Sequence, residues 1–262
     1  MNSELVRVEQ SGGIVVLTLN NPPLNLISVA MTQAMSETLM KLSRDRSVRA
    51  LIVTGGDAAA FCAGSDIKEF RAFMQEDGNV RDLKLVPEND MYDLLASFPA
   101  PTIAAVNGNA LGGGLELAVC CDLIVVSEEA KLGLPEVRLG VFPGSGGTYR
   151  VPRRIGMARA AELILLGESI SAATAHEWGL VNRVAPAGEE LQVAQEFGQR
   201  IARRSPLATM LAKRALSAAF APSGTSARES YLSLIEEAFG GADIREGTRA
   251  FFAKEEATFD DR

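Results

Sequence analysis

Short apolar runs separated by glycine, proline and polar residues predict a chain that alternates between strands and helices. The runs at 14–19 and 50–54 are rich in β-branched residues and end in turn residues, which is typical of buried strands. Between them, apolar residues recur at helical spacing from 28 to 42, with Ser28 in the position of a cap. The pattern therefore predicts two strands joined by a helix.

A strand–strand–helix pattern then recurs along the chain. In each repeat an apolar strand is followed by a shorter extended piece, and a glycine leads on into a helix or loop. The strand and the extended piece lie at 50–54 and 60–64, at 102–106 and 109–112, and at 123–126 and 130–133. Strands this apolar are covered on both faces, as in α/β proteins. Units stacked along an axis would produce such a repeat, so the predicted fold class is α/β.

Two segments depart from this pattern. Residues 70–95 mix charged residues with one glycine and one proline, which predicts a helical or loop insertion of the kind that often serves as a lid. From about residue 205 the strand signal ends, and amphipathic helices are predicted at 207–220 and 226–239. We therefore predict a core over 1–204 and a C-terminal helical region over 205–262, packed on the core or on another subunit.

Composition narrows the class of function. Hydrophobic residues make up 47% of the 262 residues and charged residues 23%, which suits a globular protein with a substantial core. The formal net charge of −7 argues against binding to nucleic acids or anionic membranes, because both need clustered positive charge. The N-terminus lacks the pattern of a signal peptide, and polar residues interrupt the longest apolar stretch. We therefore expect a cytoplasmic protein with no membrane span.

Metal, disulfide and nucleotide chemistry are not expected. The three cysteines are an odd number with apolar neighbours, which indicates buried free thiols. The single histidine, His176, argues against a zinc site and lacks a nucleophile motif, so we interpret it as structural. The glycine-rich stretch 142–148 lacks the ending of a phosphate-binding loop. We predict no metal and no cofactor.

A triple glycine at 112–114 leads into an apolar helix that carries Glu116. Glycine lets a ligand approach the main chain closely, and the first N–H groups of a helix have no partner within it. An acyl oxygen placed there would find donors and a favourable dipole. The same glycines would also serve tight packing of the helix on a strand, and the segment alone leaves both interpretations open.

Two glutamates form a candidate acid/base pair. Glu116 lies in the first helical turn, where its side chain leans towards the N-terminus and the positive helix end favours the anion. Glu136 stands among apolar neighbours, which would raise the pKa of its carboxyl group. Environments that drive two pKa values apart are typical of such a pair. A pair of unrelated surface glutamates is the alternative interpretation.

These pieces together resemble the enoyl-CoA hydratase/isomerase (crotonase) superfamily. The matching segments occur in the family's order and span nearly the whole chain, at 61–68, 105–117, 134–148, 178–182 and 246–251. The resemblance implies a crotonase-like ββα spiral core with a C-terminal helical trimerisation region, and a homotrimer or a dimer of trimers. It also implies an acyl-CoA thioester as the substrate, so that coenzyme A would be part of the substrate and not a cofactor.

Roles for individual residues follow from the resemblance, position by position. The backbone N–H groups of Ser65 and Gly113 match the family's oxyanion hole. Glu116 matches the glutamate that activates water for attack at C3, and Glu136 the one that delivers a proton to C2. The positions implied to border or lie near the CoA moiety are Leu24, Leu26, Ala63, Asp66, Ile67 and Lys68. From the residues themselves, Ser65 and Asp66 are suited to capping a helix.

Three alternatives stay open at this stage. A Δ3-Δ2 enoyl-CoA isomerase would work with Glu136 alone, and a dehydratase of hydroxyacyl-CoA thioesters, the carnitinyl-CoA type included, would run the reaction in reverse. An RNA-binding scaffold of the same family would present a lysine-rich face on an early helix. The stretch 28–49 has one lysine and three arginines with acidic residues among them, which is typical of a solvated helix end.

Overall fold

A computed structural model describes residues 5–75, 79–218, 235–237, 239 and 242–259. The strands are β1 (Val6–Ser11), β2 (Ile14–Leu19), β3 (Ala50–Thr54), β4 (Ala60–Cys62), β5 (Thr102–Val106), β6 (Asn109–Leu111), β7 (Leu123–Ser127), β8 (Lys131–Gly133), β9 (Ser169–Ser171) and β10 (Arg183–Ala185). The α-helices are α1 (Val29–Leu42), α2 (Ile67–Gln75), α3 (Val86–Ala96), α4 (Gly113–Cys120), α5 (Gly147–Leu166), α6 (Ala172–Trp178), α7 (Glu190–Ala202), α8 (Pro206–Ala218) and α9 (Asp243–Ala253). A π-helical turn, Arg81–Leu85, precedes α3, and a 3₁₀ turn, Pro135–Leu139, follows β8.

The larger sheet has six strands in the order β1-β2-β3-β5-β7-β10. The strands from β2 to β10 pair in parallel, and β1 pairs with β2 in the antiparallel direction. Alternate residues of β3 face opposite ways: Leu51 and Val53 join the main core, which includes residues of α1, α3 and α4, whereas Ile52 packs with residues of α7. Both faces of the sheet are therefore covered, which is why its central strands are apolar throughout.

A smaller sheet, in the order β4-β6-β8-β9, holds the second strand of each repeat. The pairs β3 and β4, β5 and β6, and β7 and β8 each place one strand in each sheet. Their units then continue into α2, into α4, and into the 3₁₀ turn and α5. The predicted α/β class and the predicted repeat of strand–strand–helix units are confirmed.

The segment predicted as an insertion is largely helical where it is described. Residues 76–78 lie outside the described part, and the π-helical turn and α3 follow them. Lys84, Glu88 and Tyr92 in this segment are buried. The role of the segment as a lid stays a prediction, but much of it belongs to the core that packs on α1 and α4.

The predicted helix at 207–220 is confirmed as far as residue 218, where the described part of α8 ends. Lys213 of α8 forms an ion pair with Asp122 at 2.8 Å and so ties the helix to the core. The predicted helix at 226–239 lies almost wholly outside the described residues, and the boundary at 204/205 stays a prediction. Within the described ranges, no helix combines the length and apolar character needed to cross a membrane.

Gly114 lies where the first turn of α4 meets β4. A Cβ atom at this position would come within 2.0 Å of the carbonyl oxygen of Cys62 and 2.7 Å of its carbonyl carbon. Those are backbone atoms of a buried strand, so they cannot move aside as a flexible side chain would. The third glycine of the triplet therefore serves close packing of the helix on the strand.

We expect Gly114→Ala to lower the free energy of unfolding by about 1–3 kcal/mol, as overpacking does elsewhere. The matched control is Gly198→Ala in α7, where an added Cβ would meet only the side chain of Ile14, at 3.5 Å. That variant should gain about 0.5–1 kcal/mol, because glycine is unfavourable inside a helix. Urea denaturation of both variants measures the difference. Equal stability of the two would contradict the close contact between α4 and β4.

Candidate active site

Glu116 projects from the first turn of α4 into a buried position, with 3% of its surface exposed. Its Oε1 accepts hydrogen bonds from the backbone N–H groups of Ser145 and Gly147, both at 2.8 Å. These donors come from the glycine-rich stretch that leads into α5, and not from the glycines of its own helix. The carboxyl group is therefore held between two segments that lie far apart in the sequence.

Burial is the main reason why the pKa of Glu116 is raised to about 7. The negative charges of Glu136 and Glu88 raise the pKa further, while the hydrogen bonds from Gly147 and Ser145 lower it. The prediction that a positive helix end would favour the anion of Glu116 is therefore wrong in its direction. Removal from water and the neighbouring carboxylates outweigh the two hydrogen bonds that favour the anion.

Glu136 belongs to the 3₁₀ turn after β8, and its carboxyl group lies against the backbone at the start of α4. A Cβ atom at Gly112 would come within 3.1 Å of Oε1 of Glu136. Neither carboxyl oxygen has a hydrogen-bond partner within the described part of the chain, although both oxygens are buried. Burial raises the pKa of this carboxyl group, as predicted from its apolar neighbours. The structure thus brings both predicted glutamates to the N-terminal end of α4.

Two backbone N–H groups meet at the same end of α4. Ile27 pairs with Gly64 and Asp66 through its own N–H and carbonyl, both at 3.0 Å, so the N–H of Ser65 faces away from this bridge. Gly113 is the first residue of α4, and its N–H has no partner within the helix. A Cβ atom at Gly64, where φ is +104°, would lie 3.6 Å from the nitrogen of Gly113. The two segments therefore nearly touch, as an oxyanion hole requires.

The remaining predicted residues lie along the two segments that lead to Ser65. The N–H of Ala63 donates to the carbonyl of Leu24 at 2.9 Å, which places residues 24–27 beside 63–66. Asn25 holds this arrangement, because its side-chain amide donates to three carbonyls of 55–61. Three of the predicted residues are exposed: Leu24, Ile67 and Lys68. The other three, Leu26, Ala63 and Asp66, are partly buried. Asp66 also caps α2, because its side chain accepts a hydrogen bond from the N–H of Lys68 at 2.9 Å. Their contact with coenzyme A stays a prediction.

Several residues of the site were not predicted. Ser145 and Gly147 belong to the glycine-rich stretch that lacks the ending of a phosphate-binding loop. In the structure their backbone N–H groups are the two donors to Glu116. Arg150 donates to the carbonyl of Ser145 and pairs with Asp93, so it fixes the orientation of this loop. The signal in the sequence that could have indicated these donors is the glycine-rich stretch directly before the start of α5. In the described part of the chain no cluster of His, Cys, Asp and Glu is arranged to hold a metal ion.

The family model for enoyl-CoA hydratase/isomerase matches residues 9–262. The chain belongs to this family. A probable enoyl-CoA hydratase, echA8, of Mycobacterium bovis is 38% identical and covers 100% of both chains. A probable enoyl-CoA hydratase of Bacillus subtilis is 39% identical and covers 99% of each. The crystal structure of an enoyl-CoA hydratase from Bacillus anthracis matches with a TM-score of 0.92 at 35% identity, over 98% of this chain and 100% of that one.

Membership in the enoyl-CoA hydratase/isomerase family confirms three of the predictions. The family itself, the crotonase-like ββα fold with C-terminal helices, and an enzyme of the hydratase-like lyase class are as predicted. The roles of individual residues, the lack of a cofactor, the structural role of His176 and the assembly of subunits stay predictions.

We expect the stability of Glu116→Gln relative to the native chain to increase with pH. In the folded chain Glu116 holds its proton up to about pH 7, whereas an unfolded glutamate releases it near 4.5. A raised pKa favours folding at low pH, and this contribution is lost as the pH rises from 4.5 through 7, by on the order of 3 kcal/mol. Glutamine has no such loss. Urea denaturation at about pH 5 and pH 8 tests this, and a difference that does not change with pH would contradict it.

Proposed function

We propose that the chain is an enoyl-CoA hydratase, which adds water reversibly and in the syn sense across the C2=C3 bond of a 2-enoyl-CoA thioester. The observation that carries this proposal is the meeting of two buried carboxyl groups with two backbone N–H donors at one end of α4. The relatives named as enoyl-CoA hydratases support the choice of substrate.

Binding begins with the thioester oxygen between the N–H groups of Ser65 and Gly113. Attack of water at C3 turns the thioester into an enolate-like state in which this oxygen becomes negative. Donors that already face the oxygen stabilise that state more than the neutral thioester, which is the basis of catalysis by an oxyanion hole. The dipole of α4, which starts at Gly113, acts in the same direction.

The two glutamates divide the proton transfers according to their hydrogen bonds. Glu116 accepts from two N–H groups, and these stabilise its anion, so it is the base that takes a proton from the attacking water. Both carboxyl oxygens of Glu136 are buried and have no hydrogen-bond partner among the side chains and backbone groups that the structure describes. Burial raises the pKa of this group and favours its protonated form, so it is the acid that protonates C2. The sum of the two transfers is the addition of one water, with the hydroxyl on C3.

We expect Glu116→Gln and Glu136→Gln each to reduce the hydration of crotonyl-CoA by about 10²–10⁴-fold, the usual contribution of a general acid or base. Glutamine preserves the shape of each side chain and removes only the proton transfer. Glu129→Gln, on the exposed turn between β7 and β8, serves as the control and should hydrate at the native rate. Near-native rates in either active-site variant would refute the assignment.

The near alternative is a Δ3-Δ2 isomerase, favoured by the one observation that neither carboxyl oxygen of Glu136 is held by a hydrogen bond within the described ranges, so that this group would be free to shuttle a proton alone. Solvent labelled with ¹⁸O separates the two reactions, because hydration introduces the label at C3 and isomerisation does not. A dehydratase of a hydroxyacyl-CoA is the same chemistry in reverse. A dehydratase would differ from a hydratase in the substrate for which kcat/KM is highest, which would be a hydroxyacyl-CoA.

The proposed assembly is a homotrimer or a dimer of trimers of a cytoplasmic enzyme. Large apolar side chains that are more than half exposed occur on the 3₁₀ turn, on the loop after it and on α5, at Leu139, Phe142, Met157 and Leu165. Apolar surface of this kind is typical of subunit contacts. Light scattering should give three or six times the mass of one chain, and a monomer at micromolar concentration would contradict this assembly.

A further inference from the structure

A charged cluster is buried directly behind the two N–H donors. The side chain of Lys84, in the π-helical turn, is 0% exposed, and that of Glu88, in α3, is 1% exposed. Nζ of Lys84 lies 2.9 Å from Oε2 of Glu69 and 3.6 Å from Oε2 of Glu88, and it also donates to the carbonyl of Ile27. Ion pairs are costly to bury, and apolar residues often replace them without loss of stability. Stability alone is therefore a weak reason for this cluster.

The cluster contacts both residues whose N–H groups form the candidate oxyanion hole. The hydroxyl of Ser65 donates to Oε1 of Glu88 at 2.5 Å. The hydroxyl of Tyr92 donates to the carbonyl of Gly113 at 2.8 Å and lies 3.4 Å from the same Oε1 of Glu88. A Cβ atom at Gly113 would meet the Tyr92 hydroxyl at 2.9 Å, Ser65 Oγ at 3.1 Å and Glu88 Oε1 at 3.4 Å. One carboxyl group thus joins two segments that are otherwise separate in the sequence.

Burial raises the pKa of the Glu88 carboxyl group and the charge of Lys84 lowers it, so the cation beside Glu88 favours its ionised form. An unpaired carboxylate this close to Gly113 would repel the negative oxygen of the enolate-like state. Lys84 supplies the opposite charge on the far side of Glu88, and Glu69, which also accepts from the N–H of Val29, holds Lys84 in place. The ion pair therefore lets a carboxylate anchor Ser65 with less repulsion of the bound oxygen.

We propose that Glu88, paired with Lys84, is a positioning residue that fixes the orientation of the N–H groups of Ser65 and Gly113 relative to each other. The inference rests on the proposed function, in which these N–H groups hold the thioester oxygen. Donors that are already fixed in place need no reorganisation during the reaction, and a displacement of about 1 Å can cost about 10²-fold in rate. Ser65 therefore contributes through its hydroxyl as well as through its amide.

The test measures polarisation of the thioester carbonyl in the bound state, which a residue acting only on stability would not change. Butyryl-CoA labelled with ¹³C at the carbonyl cannot undergo hydration, and its C=O stretch is recorded by infrared difference spectroscopy on the native enzyme. We expect a shift to lower frequency on binding. The shift should be smaller in Ser65→Ala and Tyr92→Phe, which each remove a donor hydroxyl, and in Glu88→Gln, which removes the negative charge of the acceptor. All three variants keep both amides.

The same variants should lose kcat on the order of 10- to 100-fold with crotonyl-CoA, with little change in KM, because the donors act mainly on the transition state. Ser65→Thr restores the hydroxyl and should recover most of the carbonyl shift and of kcat. In the double variant Ser65→Ala/Glu88→Gln, the combined loss should be smaller than the sum of the two single losses, because Ser65→Ala removes the hydrogen bond that Glu88→Gln weakens.

The matched control is Lys213→Met, which breaks the ion pair with Asp122, also partly buried, in the contact between α8 and the core. It should lower the melting temperature and leave the carbonyl frequency and kcat as in the native enzyme. If Glu88→Gln does not fold, Ser65→Ala and Tyr92→Phe still test the inference. Each removes a single oxygen atom, so we expect both of these variants to fold.

Three results would overturn the inference. A native carbonyl shift that persists unchanged in all three variants would refute the positioning role and leave the proposed function standing. If Lys213→Met loses as much of the carbonyl shift as Ser65→Ala does, the smaller shift in Ser65→Ala would be explained by general destabilisation and not by positioning. An unshifted carbonyl in the native enzyme would remove the proposed oxyanion hole, and the inference would fall with it.

Discussion

The close approach of the α4 backbone to the segment that follows β4 is the contact on which the rest of the site depends. Gly114 lies where any side chain would strike Cys62, and Gly64 lies where one would strike the carbonyl of Leu111. Without side chains at these positions, two stretches of main chain come together and their N–H groups face the same space. Glu116 lies in the first turn of α4, so the geometry of that turn determines how far its side chain is from the space beside these N–H groups.

The proposed assignment of Glu116 as the base and Glu136 as the acid rests on hydrogen bonds more than on burial. Burial raises the pKa of both Glu116 and Glu136, so burial alone would make them alike. The difference lies in the two N–H donors from the loop before α5, which stabilise the anion of Glu116, whereas at Glu136 only its own backbone N–H acts to lower the pKa. The negative charge of Glu136 also raises the pKa of Glu116.

Much of the fold and of the site could be predicted from the sequence, because apolar runs, glycines and motif order are local features. The strands β3, β5 and β7, the helix after Ser28 and the meeting of both glutamates at the triple glycine are examples. The partners of Glu116 could not be predicted, since they come from a loop about 30 residues away whose path depends on tertiary packing. The same holds for the charged cluster: Lys84 and Glu88 are residue types that are usually exposed, and only the three-dimensional structure places them in the core.

The use of main-chain donors has a consequence for how such an enzyme changes over generations. Among the amino acids only proline lacks an N–H, so most substitutions at position 65 alter the surroundings of a donor without deleting it. In the proposed mechanism, by contrast, a mutation that replaces either carboxyl group abolishes a proton transfer at once. A lineage that keeps this backbone can therefore lose one reaction and acquire another while it continues to recognise the same thioester, so the scaffold is robust where its chemistry is not.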